Sequence, residues 1–262
     1  TPLTDMGARL WGLSSDSIFL SPAPLYHAAP LRWCMAVHRL GGTVVVMAKF
    51  DAETALLLIE QHRVTHAQWV PTHFVRMLKL PDATRARHDV GSLQAVWHAA
   101  APCPQPVKQA MLDWWGPIIY EFYSGTEANG LTHIGPEEWL AHKGSVGRPV
   151  WGTFHICDDE GNVLPPGREG QIWIADGLPV VYHNDPEKTA QAHNAKGWST
   201  LGDIGWLDDE GYLYLTDRKH FMIISGGVNI YPQEIENQLL AHPDVHDVAV
   251  FGIADEDFGE RV

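Results

Sequence analysis

The segment Glu121-Phe122-Tyr123-Ser124-Gly125-Thr126-Glu127-Ala128-Asn129-Gly130 gathers an aromatic face, a glycine, a hydroxyl and a carboxylate within five residues. A ring at Tyr123 offers a stacking surface for a purine. Thr126 offers a donor to a phosphate oxygen. Glu127 offers an oxygen to Mg²⁺, a hard cation usually held by one or two carboxylates together with phosphate oxygens. The same residues also fit an ordinary strand-to-helix turn, with Thr126 as N-cap and Glu127 in the first helical turn.

Three later segments carry groups of related use. Asp203 lies in Gly197-Trp198-Ser199-Thr200-Leu201-Gly202-Asp203-Ile204-Gly205, where a carboxylate is able to accept both hydroxyls of a ribose. A plain Gly-Asp turn explains it equally well. Asp217-Arg218-Lys219 presents a planar donor fork for ribose or phosphate oxygens, or a solvated charged turn. Ser225-Gly226-Gly227-Val228-Asn229-Ile230-Tyr231-Pro232 reads as a glycine-rich turn between a strand and a helix, either a plain turn or one suited to an anion or an extended ligand.

The elements that must position these groups follow from hydrophobic period. Residues 17–20, 42–47, 66–70, 93–99 and 118–121 read as strands. Between them, 51–62, 71–80 and 106–115 read as helices. This β-α-β-α order predicts a mostly parallel sheet, whose ligands bind beyond the carboxyl ends of the strands. From 144 to 217 the texture changes to short strands (153–157, 171–175, 212–216) divided by turns such as Asp158-Asp159-Glu160-Gly161-Asn162. That predicts a mostly antiparallel β region. Beyond it, strand 222–225, helix 232–241 and strand 245–253 follow. The expected fold class is α/β: a large N-terminal domain over 1–216 with both sheet types. The start of a small α+β C-terminal lid domain is expected over 217–262.

Composition sets outer limits. At 262 residues, with 45% hydrophobic and 19% charged side chains, the chain has the balance of a globular protein of one or two domains. A net charge of −14 argues against nonspecific binding to nucleic acid or an anionic membrane. Cys34, Cys103 and Cys157 form no close pair, which fits a reducing cytoplasm better than a disulfide or zinc framework. No apolar run approaches the length of a membrane span. The N-terminus lacks Met and any signal pattern, and the C-terminus stops just after a strand-like run, so both ends read as cut and a fragment is expected.

The motifs gain meaning from their order. Tyr26-His27, Ala99-Ala100-Ala101-Pro102, Tyr123–Glu127, Gly144-Ser145-Val146-Gly147-Arg148-Pro149, Trp198–Asp203, Asp217-Arg218-Lys219 and Met222–Gly227 with Asn229–Glu236 follow one another along essentially the whole chain. This succession closely resembles the adenylate-forming superfamily, specifically the acyl-CoA synthetases (fatty-acid–CoA ligases). The resemblance implies a ligase that uses ATP and Mg²⁺ to make an acyl-AMP and then transfers the acyl group to coenzyme A. It implies that Tyr123 stacks on adenine, that Ala100 and Ala101 lie along the ring, that Thr126 contacts the α-phosphate and that Glu127 binds Mg²⁺. Asp203 would take the ribose hydroxyls, Arg218 the ribose or phosphate, and His27 the mouth of the acyl pocket. Asp217 and Lys219 look like a hinge, and Ser225, Gly226 and Gly227 like a lining for pantetheine. Expected partners are a small carboxylic acid, ATP and coenzyme A, with a homodimer as a further expectation.

Some features depart from that pattern. The Ser/Thr/Gly-rich loop with a lysine that grips the β- and γ-phosphates should precede Ser21, and residues 1–20 contain none. The late lysine that orients the carboxylate should follow Val262; Lys188, Lys196 and Lys219 are not in that context. Impaired adenylation by these residues alone is therefore expected. Tyr-Ser-Gly-Thr-Glu replaces the commoner Tyr-Gly-x-Thr-Glu order, and Pro30 stands where a small residue is usual. An amino-acid adenylation domain is an alternative, but it usually presents a carboxylate near Tyr26-His27 for the substrate ammonium, and none is there. A noncatalytic nucleotide- or CoA-binding module is another. Bulky Trp97, His98 and Leu131 hint at a medium or aromatic acid if they line the acyl pocket, although Trp97 suits a core position equally.

Overall fold

The computed structural model describes residues 2–218, 222–225, 228–240, 242, 244–245, 248–255 and 258–262. Two compact units are present, Thr1–Phe122 with Gly135–Lys143, and Tyr123–Ile134 with Gly144–Val262. The expected boundary at 216/217 falls inside the second of them.

The first unit alternates helices and strands: α1 (Pro2–Trp11), β1 (Ile18–Ser21), α2 (Ala28–Leu40), β2 (Thr43–Val46), α3 (Ala52–His62), β3 (His66–Trp69), α4 (Pro71–Leu78), α5 (Asp82–Arg85), β4 (Ala95–His98), α6 (Gln105–Trp115) and β5 (Ile119–Tyr123), with α7 (Pro136–Ala141) completing it. The strands run in the order β2-β1-β3-β4-β5, and the pairs between them are parallel. Every residue of β3 and β4 is buried, as expected for a parallel sheet covered on both faces. Helix starts follow local chemistry. Asp51 accepts the Thr54 N–H at 2.8 Å and caps α3, and Pro71 opens α4. Trp11 stacks on Trp97 with ring centres 4.2 Å apart and planes at 12°. Trp33 meets both rings edge-on.

The second unit contains β6 (Leu131–Ile134), β7 (Ser145–Trp151), β8 (Thr153–Cys157), β9 (Gly170–Ala175), α8 (Pro186–Gln191), β10 (Asp203–Leu207) and β11 (Leu213–Arg218). These are followed by β12 (Ile223–Ser225), β13 (Val228–Ile230), α9 (Pro232–Leu240), β14 (Ile253–Asp255) and β15 (Gly259–Arg261). Strands β6-β7-β11-β10-β9-β8 lie in that order and pair antiparallel. Val146, Phe154, Ile156, Ile172, Ile174 and Leu213 form the core, and the half-buried Tyr123 packs against it. A second antiparallel sheet, β13-β12-β15-β14, holds the last strands.

The α/β class with parallel and antiparallel parts is therefore present. Three local expectations change. No helix follows Tyr123; the chain turns through 124–130 and enters β6, so Thr126 is not a helix N-cap. The segment 225–232 contains strand β13, which pairs back on β12. Among the described residues of 245–253, ladder pairing begins only at Ile253, because alternating valines become a strand only where a partner strand receives them.

Candidate active site

Three expected site residues lie in the first unit, each beyond the carboxyl end of a parallel strand. His27 follows β1 and occupies the N-cap of α2 with extended backbone and no side-chain capping bond. Its exposed ring lies 4.4 Å from that of Tyr26. Ala100 and Ala101 follow β4 and are exposed. Ala100 has φ of 78°, a left-handed conformation that costs a residue with a Cβ about 1–2 kcal/mol. Such strain gathers where a chain must present its backbone to something else.

The second unit joins the loop at Tyr123 to residues far along the chain. Tyr123 donates its phenol hydrogen to Asp203 Oδ2 at 2.5 Å across 80 residues. Asp203 is 6% exposed and opens β10, directly opposite Arg218 of β11 in the antiparallel register. The Arg218 side chain lies outside the described atoms.

The loop itself is stapled. Ser124 Oγ donates to Gly130 O at 2.7 Å, and Asn129 Nδ2 donates to Ser199 Oγ at 2.9 Å. Gly177 presses so closely that a Cβ there would stand 1.6 Å from Asn129 O. Thr126 is exposed and Glu127 half-buried. Glu127 Oε1 accepts the Tyr182 phenol at 2.9 Å. Burial, then the Glu127 carboxylate, pushes the Tyr182 hydroxyl above its ordinary range, so it remains a protonated donor at neutral pH. Among the described residues no three His, Cys, Asp or Glu side chains gather as a metal site. A single carboxylate beside a phosphate-sized loop is the donor set that suits Mg²⁺ carried by a nucleotide, because Mg²⁺ keeps waters and phosphate oxygens as its other ligands.

Asp217 Oδ2 accepts the Gln233 N–H at 3.5 Å, linking β11 to the start of α9. Ser225 ends β12 opposite Val228 and beside Gly259 of β15. Lys219, Gly226 and Gly227 lie outside the described residues.

Sequence reasoning missed two features. Tyr182 is 55 residues from its partner, and no local pattern announces it. The other is a buried charge cluster in the first unit. Lys108 Nζ stands 2.5 Å from Glu121 Oε2, and His98 Nε2 stands 3.4 Å from the same oxygen. Burial raises the Glu121 carboxyl against the pull of Lys108. Burial, then Lys108, holds His98 well below the usual imidazole range. A signal was present: Lys108 shares one helical stripe with Met111, Leu112 and Trp115, all buried, and Glu121 interrupts an apolar strand. Trp97, His98 and Leu131 are all buried, Trp97 within the tryptophan stack.

The chain thus combines a parallel sheet, an antiparallel sheet and a Tyr–Asp pair beside a Thr-Glu loop. The chain belongs to the AMP-binding enzyme family, whose pattern matches residues 3–178. A feruloyl-CoA synthase from Amycolatopsis sp is 37% identical over 253 residues, covering 95% of this chain and 50% of that protein. Among solved structures, the amide bond synthetase McbA from Marinactinospora thermotolerans superposes with a TM-score of 0.82 at 30% identity, covering 99% of this chain and 53% of that one. The o-succinylbenzoate coenzyme A synthetase MenE from Bacillus subtilis, in complex with ATP and magnesium ion, does so with a TM-score of 0.82 at 29% identity, covering 98% and 53%. The chain spans about half the length of the curated relatives it matches. Among the described residues no helix is long and apolar enough to cross a membrane.

Proposed function

We propose that these residues serve an ATP-dependent acid–thiol ligase that forms AMP. The observation that carries this reading is the Tyr123–Asp203 hydrogen bond, which joins the expected adenine-stacking and ribose-binding side chains. A carboxylate oxygen of the acid bonds to the α-phosphorus of ATP and pyrophosphate leaves. The thiol sulfur of coenzyme A then bonds to the acyl carbon, AMP leaves, and the thiol proton passes to solvent.

In this account Tyr123 stacks on adenine and holds Asp203 for the ribose hydroxyls. The backbone of Ala100 and Ala101 lies along the adenine. Thr126 donates to the α-phosphate, and Arg218 binds ribose or phosphate. His27 stands at the acyl pocket. Glu127 would hold Mg²⁺, which supplies charge neutralisation for the phosphoryl oxygens when bound. Asp217 and Lys219 form the hinge of a lid beginning at residue 217, and Ser225, Gly226 and Gly227 contact pantetheine. A cytoplasmic location accords with the free cysteines.

The test offers ATP, coenzyme A and a panel of aromatic and medium-chain acids to the protein carrying these residues. Formation of a thioester with AMP and pyrophosphate in equal amounts is expected with at least one acid. ADP with phosphate as the nucleotide products would contradict the reading. Amide from an added amine, with no thioester, would move the acceptor to an amine, as the name of the amide bond synthetase describes for that protein.

A further inference from the structure

Tyr182 donates to Glu127 Oε1 at 2.9 Å, and its own position is held from several sides. Its backbone N–H donates to Thr189 Oγ1 at 2.9 Å, and Thr189 Oγ1 donates to Asp185 O at 2.8 Å. Asp185 Oδ1 accepts the Lys188 N–H at 2.9 Å and closes the first turn of α8. Lys188 Nζ then lies 4.3 Å from the centre of the Tyr182 ring, a cation over an aromatic face. The other carboxylate oxygen lies close to Gly125. A Cβ at Gly125 would stand 2.8 Å from Glu127 Oε2, so the glycine is what lets that oxygen sit over the loop.

An ionised carboxylate only accepts. A donor fixed on one oxygen therefore decides how the other is aimed. Mg²⁺ requires near-octahedral geometry at about 2.0–2.1 Å, and a freely rotating carboxylate meets that poorly. We propose that Tyr182 is a positioning residue for the nucleotide-borne metal: it locks Glu127 through Oε1 and offers Oε2 to the cation. This rests on the reading of Glu127 as the metal carboxylate. Donors that orient a metal ligand from behind typically change affinity by about 10–100-fold when removed.

The probe is an ATP analogue with a methylene between its α- and β-phosphorus atoms, titrated by calorimetry with Mg²⁺ and again with EDTA. The ratio of the two affinities is the tightening due to metal. In Tyr182→Phe, which keeps the ring under Lys188, this tightening is expected to fall about 10–100-fold, with metal-free affinity unchanged. Lys188→Met keeps the hydroxyl but loosens the ring, and a loss of about 2–5-fold is expected. It also serves if the Phe variant does not fold, and full tightening there would then overturn the proposal. Glu127→Gln is the reference. If it abolishes the tightening and Tyr182→Phe retains it, the positioning role is overturned while the metal reading stands. If Glu127→Gln retains the tightening, the metal reading fails and the positioning role falls with it. Equal loss of metal-free and metal-dependent affinity in Tyr182→Phe would assign Tyr182 to the fold and also overturn the proposal.

Discussion

Tyr123, the last residue of a parallel strand, donates its phenol hydrogen to Asp203, the first residue of an antiparallel one, at 2.5 Å. The bond ties the ring proposed to stack on adenine to a carboxylate, and the ring also packs against Phe154 with centres 6.2 Å apart. Replacing Tyr123 with Leu removes both the stack and the donor. AMP affinity is expected to fall by about 1–3 kcal/mol, the range of one base–aromatic stack. Tyr123→Phe should recover most of that loss. Equilibrium titration with AMP measures both.

Lys108 and Glu121 form an ion pair with almost no exposure. Lys108→Met leaves a carboxylate buried without its cation, and a loss of about 3–5 kcal/mol in unfolding free energy is expected. Replacing both residues with Met removes both desolvation costs and should return stability to near that of the unchanged protein. Urea unfolding at neutral pH reads the comparison.

Burial, with Arg76 adding to it, lowers His73 from 6.5 to about 4. The folded protein therefore keeps this ring neutral while the unfolded chain protonates it. Stability from His73 is complete above about pH 6.5 and is lost as pH falls to about 4, by about 3 kcal/mol in all. His66 and His98 are shifted the same way and steepen the decline. In His73→Asn that share of the pH dependence should vanish, as followed by urea midpoints between pH 7 and 4.

Gly177 allows the chain to pass against Asn129 O, and that obstacle is backbone, not the end of a flexible side chain. Gly177→Ala should push residues 124–130 away from Ser199. A loss of at least about 1–3 kcal/mol is expected from overpacking, together with weaker AMP binding. Thermal melting and AMP titration on one sample detect the joint effect.

The alternation of strand and helix was legible for α3, α4 and α6 and the strands beside them, as in Ala55, Leu56 and Ile59 on the buried face of α3, whereas α1, α2 and the short α5 were not read from the sequence. The residues proposed for the nucleotide were selected by the succession of motifs. Pairings across long sequence separation were not. Nothing near Tyr182 points to Glu127, and nothing near Ser199 points to Asn129, since those bonds exist only once β9, β10 and the loop are assembled. Thr126 was ambiguous for a local reason: a Thr-Glu step after a strand suits a helix start, and only the observed entry into β6 decides against it.

The central claim is that Asp203 reads the ribose of a bound nucleotide beside Tyr123. Calorimetric titration with AMP and with 2′,3′-dideoxy-AMP tests it directly. The unchanged protein should prefer AMP by about 10–150-fold, the worth of a hydrogen bond to a charged group at about 1.5–3 kcal/mol. Asp203→Ala should bind both nucleotides equally, at the dideoxy level. A preference that survives in Asp203→Ala, or is missing from the unchanged protein, would contradict the account.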